Sequence, residues 1–139
     1  MLKRIFYPRH IEHSLKYVKE LQTKYPTLIV GGSVALYLYG VNLKRFKNWQ
    51  GDLDFIMDKY TEIDIEKSEE LPSNCDFHKQ GSYAGKKVDV RFDPVVKFEE
   101  ILYRGSIYKV GPLEDILEAK CRYKREKDKQ DIREMLKIN

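Results

Sequence analysis

Residues 28–57 read LIVGGSVALYLYGVNLKRFKNWQGDLDFIM, and this stretch decides the fold. Leu28-Ile29-Val30 is a short apolar run, β-branched enough to form a buried strand, and it leads directly into Gly31-Gly32-Ser33. Val34, Ala35, Leu36 and Leu38 then make a helical stretch that Gly40 can close in the left-handed conformation. The turn therefore joins a strand to a helix. Paired glycines there let backbone N–H groups come close to an anionic ligand, with Ser33 as N-cap or phosphate donor beside the positive end of the helix. Further on, Asp52-Leu53-Asp54-Phe55-Ile56-Met57 alternates, so on a strand Asp52 and Asp54 share one face while Leu53, Phe55 and Met57 share the other. Carboxylates two residues apart on a strand stand about 6.5–7 Å apart at Cα. That arrangement is costly unless water or a divalent cation neutralises it.

A chain of 139 residues suits one domain, expected here to span residues 1–139. The hydrophobic fraction of 42% and the charged fraction of 35% describe a folded chain with a heavily charged surface and exclude a disordered one. No apolar run approaches the roughly 20 residues of a membrane span, and the first residues lack the apolar segment of a signal peptide, so a cytoplasmic location away from the membrane is expected. Cys75 and Cys121 match no metal-ligand spacing and are read as free thiols. The net charge of +4 fits phosphate-rich partners without singling them out.

Ile11, Leu15, Val18 and Leu21 recur at helical spacing between Pro8 and Pro26 and predict an amphipathic helix, with His10 and His13 as surface residues. Lys44, Arg45 and Lys47, with Phe46 and Trp49 between and beside them, form a basic loop with two readings: a grip on base or phosphate, or a solvated turn whose aromatics pack on the core. Residues 58–71 read as a loose helix and turn, 75–79 as a short strand and 81–86 as a glycine-rich hairpin turn. Val88, Val90 and Phe92 alternate with Asp89 and Arg91, so residues 87–92 form a half-buried strand with Asp89 on its polar face. A short helix over 95–103, a strand over 106–110 and two closing helices, the first begun by Pro112, complete the chain. The fold class is α/β (α+β): a mixed sheet of about four to five strands flanked by helices.

Gly-Gly-Ser opening a helix, Asp-x-Asp on a following strand and a third acid, Asp89, on another strand resemble the DNA polymerase β-like nucleotidyltransferase superfamily. The likeness is to its small stand-alone bacterial and phage members of toxin-antitoxin, abortive-infection and antibiotic-modifying systems. It extends from about Leu28 to the end, taking in Gly111-Pro112-Leu113-Glu114, Lys120 and the run Arg125-x-Lys127-Asp128-x-x-Asp131. Two features depart from the family pattern. Residues 34–51 make a longer separation than usual between turn and first aspartate, and Asn48-Trp49-Gln50-Gly51 stands where an Arg-x-Thr is common.

The resemblance implies a minimal nucleotidyltransferase fold in which Asp52, Asp54 and Asp89 bind Mg²⁺ or Mn²⁺, with Asp89 also helping to deprotonate an acceptor hydroxyl. Gly31, Gly32, Ser33 and Lys120 are implied to bind the nucleotide. The implied activity is transfer of a nucleoside monophosphate from an NTP to a tRNA end or a protein side chain, with a second copy or a toxin-antitoxin partner as protein partners. Lys124 reads better as a solvated lysine, and Arg91 as a partner for a carboxylate or a substrate contact. The alternative is a non-catalytic nucleotide- or RNA-binding module, or the antitoxin half of a complex.

Overall fold

The computed structural model describes residues 8–49, 51–58, 66–67, 78–93 and 96–138. Their order is α1 (Arg9–Lys24), β1 (Ile29–Val30), α2 (Gly32–Leu38), a 3-10 helix (Lys44–Asn48), β2 (Leu53–Asp58), β3 (Glu66–Lys67), β4 (His78–Tyr83), β5 (Lys86–Asp93), β6 (Glu99–Tyr103), β7 (Ser106–Val110), α3 (Leu113–Tyr123) and α4 (Glu126–Met135). The strands form one mixed sheet in the order β3-β4-β5-β2-β1-β7-β6. β2 runs parallel to β5, β1 runs parallel to β7, and the remaining neighbours are antiparallel. This is the expected mixed α/β architecture, with more strands than expected.

The expected helix over 95–103 is the main correction. Phe98, Ile101 and Leu102 have helical spacing, yet residues 99–103 pair as β6 with β7 in register from Glu99↔Val110 to Tyr103↔Ser106. The Arg104-Gly105 turn decides it: both residues have positive φ, as a two-residue hairpin turn that follows the twist of its strands requires. The expected hairpin turn over 81–86 likewise shrinks to Ala84-Gly85, because residues 81–83 belong to β4 and Gly81 pairs with Val88. Of the expected helix over 58–71, Asp58 ends β2 and Glu66–Lys67 form β3; the rest lies outside the described residues. So do residues 75–77 of the expected strand, whose remainder opens β4.

The apolar stripe of α1, Ile11, Leu15, Val18 and Leu21, is buried against a core that includes Val30, Val34, Leu36, Leu38, Leu53, Phe55, Met57, Val88, Val90 and Val110. Both aromatics of the basic loop join it, Phe46 at 2% and Trp49 at 4% exposure, so the packing alternative holds for them. Phe46 meets the buried Tyr37 ring edge-on. The Tyr37 and Tyr103 hydroxyls both donate to the Glu12 carboxylate, which also pairs with Arg104 Nη1 at 3.1 Å. His10 and His13 are exposed, as is the free Cys121. Among the described residues, no helix is long and apolar enough to cross a membrane.

β1 is only two residues long, and its ladder with β7 is the single pair Val30↔Val110. The side chain of Gln22, buried on α1, supplies what a longer strand would. Its Nε2 donates to Lys109 O (2.7 Å) and Leu28 O (3.0 Å), and its Oε1 accepts from Lys109 N (3.1 Å). Truncation would leave buried backbone groups without partners, at roughly 1–3 kcal/mol for such a loss. Gln22→Ala is therefore expected to lower stability by about 2–3 kcal/mol and Tm by about 10 °C, read by thermal unfolding; a change within 1–2 °C would show that water replaces the amide.

Candidate functional site

The parallel pairing of β2 with β5 sets Asp54 directly opposite Asp89, so both project from one face of the sheet. Asp52 lies one residue before β2 and is exposed, whereas Asp54 is half-buried. Burial is the main cause that pushes the Asp54 carboxyl from 3.8 up to about 7, followed by the charges of Asp89 and Asp52; Lys127 and Lys120 oppose the rise. Sequence alternation alone puts Asp54 and Asp89 on polar faces, and the register makes them neighbours.

The Gly-Gly-Ser turn closes on the same strand. Gly31 N donates to Asp54 O at 2.8 Å, and the chain passes Asp54 at Gly32 with φ +57. A Cβ on Gly32 would stand 2.3 Å from Asp54 Oδ2. Glycine is required here twice, by left-handed backbone and by the carboxylate behind it. A substitution at Gly32 thus strains the fold as well as any phosphate approach.

Ser33, the next residue, accepts a hydrogen bond from Arg45 Nη2 at 2.8 Å. Arg45 Nη1 donates to Asp131, whose other oxygen accepts from Lys120 Nζ at 2.7 Å. Lys120 also lies 3.6 Å from Asp128, which Arg125 grips at 2.7 Å. The side chains of Asp128 and Asp131 are fully shielded from solvent. Burial pushes the Asp128 carboxyl up, but hydrogen bonds and charge from Arg125, with the charge of Lys120, outweigh it and hold the group below its usual range. Lys120 is therefore held by two carboxylates rather than free, while its charge still reaches Asp54. Lys124 is exposed with φ +55 at the end of α3, and Arg91 pairs with Asp93 at 3.3 Å. Sequence reading does not resolve the role of Arg45, because a lone arginine between two lysines carries no signal of its distant partners.

Among the described residues, no three His, Cys, Asp or Glu side chains form a group able to hold a metal ion. A divalent cation of the Mg²⁺ type does not need one, since it is commonly held by one or two carboxylates together with waters and substrate phosphates. Asp54 and Asp89, hard oxygen donors in register whose mutual repulsion raises the Asp54 pKa, fit that requirement.

The raised Asp54 pKa has a defined sign. An acid whose folded pKa of about 7 exceeds its unfolded 3.8 gives stability that is fully present below about pH 4 and lost as pH rises to about 7. Asp54→Asn, in chelator, is expected to gain on wild type progressively from pH 5 to 8. At pH 8 the gain should be about 1–3 kcal/mol, or about 3–10 °C in Tm. A variant less stable than wild type by the same margin at both pH values would show that the two charges do not oppose each other.

Comparison with protein-family models, curated proteins and solved structures gives no match to this chain.

Proposed function

We propose that this chain transfers a nucleoside monophosphate from an NTP to a hydroxyl on a macromolecule, a tRNA end or a protein side chain. The observation that supports the reading is the meeting of both charge signs at the Gly32–Ser33 turn. Asp54 lies against Gly32 and opposite Asp89, Arg45 contacts Ser33, and the charges of Lys120 and Lys127 reach Asp54. Such a combination suits a substrate whose anionic tail needs cations and whose reacting centre needs carboxylates.

In this reading Asp54 and Asp89, with Asp52 alongside, would hold a divalent cation, which when bound supplies charge neutralisation at the reacting phosphate. Asp89 accepts the proton of the acceptor hydroxyl, and the resulting oxygen attacks the α-phosphorus. The bond from that phosphorus to its bridging oxygen breaks, and pyrophosphate leaves. Gly32 and Ser33 receive the phosphates through backbone N–H groups and the serine hydroxyl, Gly31 holds the turn against β2 because its own N–H is spent on Asp54 O, and Lys120 balances the phosphate charge.

One observation favours a second reading. Asp52 is exposed and no three-carboxylate group is closed among the described residues, which suits a module that binds nucleotide or RNA, or pairs with a toxin, without chemistry.

Incubation with each labelled NTP, Mg²⁺, total tRNA and cell lysate should move label to one acceptor. Asp54→Asn and Asp89→Asn should each lower that transfer by about 10³-fold, a loss of several kcal/mol of charge stabilisation, while remaining folded. Absence of transfer from all four NTPs to tRNA, lysate protein or the chain itself, with Asp54→Asn still performing the biological task, would establish the binding module instead.

A further inference from the structure

We propose that Arg45 is a polyphosphate-binding residue, selecting the triphosphate tail of the nucleotide, and that buried Asp131 is the positioning residue that sets Arg45 and Lys120 side by side for this purpose. The inference rests on the nucleotide-binding part of the function proposed above and adds a specificity to it.

Three cations of the 3-10 helix differ in setting: Lys44 and Lys47 are exposed, whereas the Arg45 side chain is only 33% exposed. Its guanidinium is oriented at two nitrogens, by Asp131 on Nη1 and by Ser33 Oγ on Nη2 at 2.8 Å. A hydroxyl that accepts from an arginine keeps its own proton to donate, so Ser33 offers an O–H beside the guanidinium. Asp131 uses its second oxygen on Lys120 Nζ at 2.7 Å, so one solvent-shielded carboxylate aligns two cations from separate elements. Asp128 reinforces Lys120 from 3.6 Å and is itself held by Arg125. Arg45, Lys120 and Arg125 exceed the two buried aspartates by one positive charge, and Lys127 lies near enough to act on Asp54. A network that only fastened α3 and α4 to the preceding loop would be complete with the Arg45–Asp131 and Lys120–Asp131 pairs. The additional bond to Ser33 brings the fork of the guanidinium to the hydroxyl of the Gly-Gly-Ser turn. An always-charged planar fork beside an O–H donor and an ammonium group matches adjacent phosphate oxygens, which it can bind bidentately where a lysine offers a point charge. Because these donors come from three separate elements, the Gly-Gly-Ser turn, the 3-10 helix and α3, the selectivity inferred is for a chain of phosphates over a single one.

The test is calorimetric titration, with excess Mg²⁺, of inorganic tripolyphosphate, ATP and AMP into wild type, Arg45→Gln, Arg45→Lys and Asp131→Asn, with the melting temperature of each variant taken alongside. Wild type is expected to bind tripolyphosphate and ATP more tightly than AMP. Arg45→Gln should weaken tripolyphosphate and ATP by about 10–100-fold, the loss of charged hydrogen bonds, and AMP by less than about 2-fold. Arg45→Lys, which keeps a charge for Asp131, should recover only part of the loss. Asp131→Asn should collapse the ATP-to-AMP ratio in the same way, a readout that lowered stability alone would not move. If wild type binds ATP and both Arg45 variants bind it equally tightly, or lose AMP as strongly as ATP, Arg45 is a structural residue and the inference fails while nucleotide binding stands. Failure of wild type to bind ATP or tripolyphosphate at all would remove the nucleotide reading and this inference with it.

Discussion

The contact on which the site depends is the one between Gly32 and Asp54. Backbone and side chain are locked together there: Gly31 N–H bonds to the Asp54 carbonyl, and Gly32 passes against the Asp54 carboxylate with no room for a Cβ. Because β1 is so short, the chain leaves the sheet as soon as it has entered it, and α2 begins over the neighbouring strand. A longer β1 would carry the turn past Asp54 and separate the serine from the carboxylates. The short strand is tolerated because an amide from α1 completes the hydrogen bonding of β7.

Two buried aspartates on one helix call for a different kind of support. Desolvating a carboxylate costs several kcal/mol, and only close cations and hydrogen bonds restore the balance. Asp128 and Asp131 receive theirs from Arg45, Lys120 and Arg125, so the C-terminal helix pair is tied by charge to a loop far away in sequence. Apolar residues would hold α4 at less electrostatic cost. They could not orient the Arg45 guanidinium at Ser33, and orientation is what the ionic network adds.

Much of this is legible in the sequence because it is local. The strand-turn-helix of residues 29–38, the alternation around Asp54 and Asp89, and the stripe of α1 are all written in periodicity and in glycine. β6 reads as a helix because Phe98, Ile101 and Leu102 satisfy a helical spacing, while the signal for the strand is the Arg-Gly turn after it. The alternation around Asp54 and Asp89 leaves their relative register open, since a one-residue slip would send one carboxylate to the other face. The link from Arg45 to Asp131, across 86 residues, and the amide of Gln22, across 87, leave no local trace at all.

The same pairing bears on how the chain acquires its site. β4–β5 and β6–β7 are hairpins closed by two-residue turns, whose ends meet at little entropic cost. β2 and β5 are parallel, so Asp54 and Asp89 come together only through a long crossover, a type of contact that forms slowly. The two carboxylates are thus kept apart while the chain is still collapsing. The repulsion between Asp54 and Asp89 is met only once the non-local sheet contacts that can oppose it have been made.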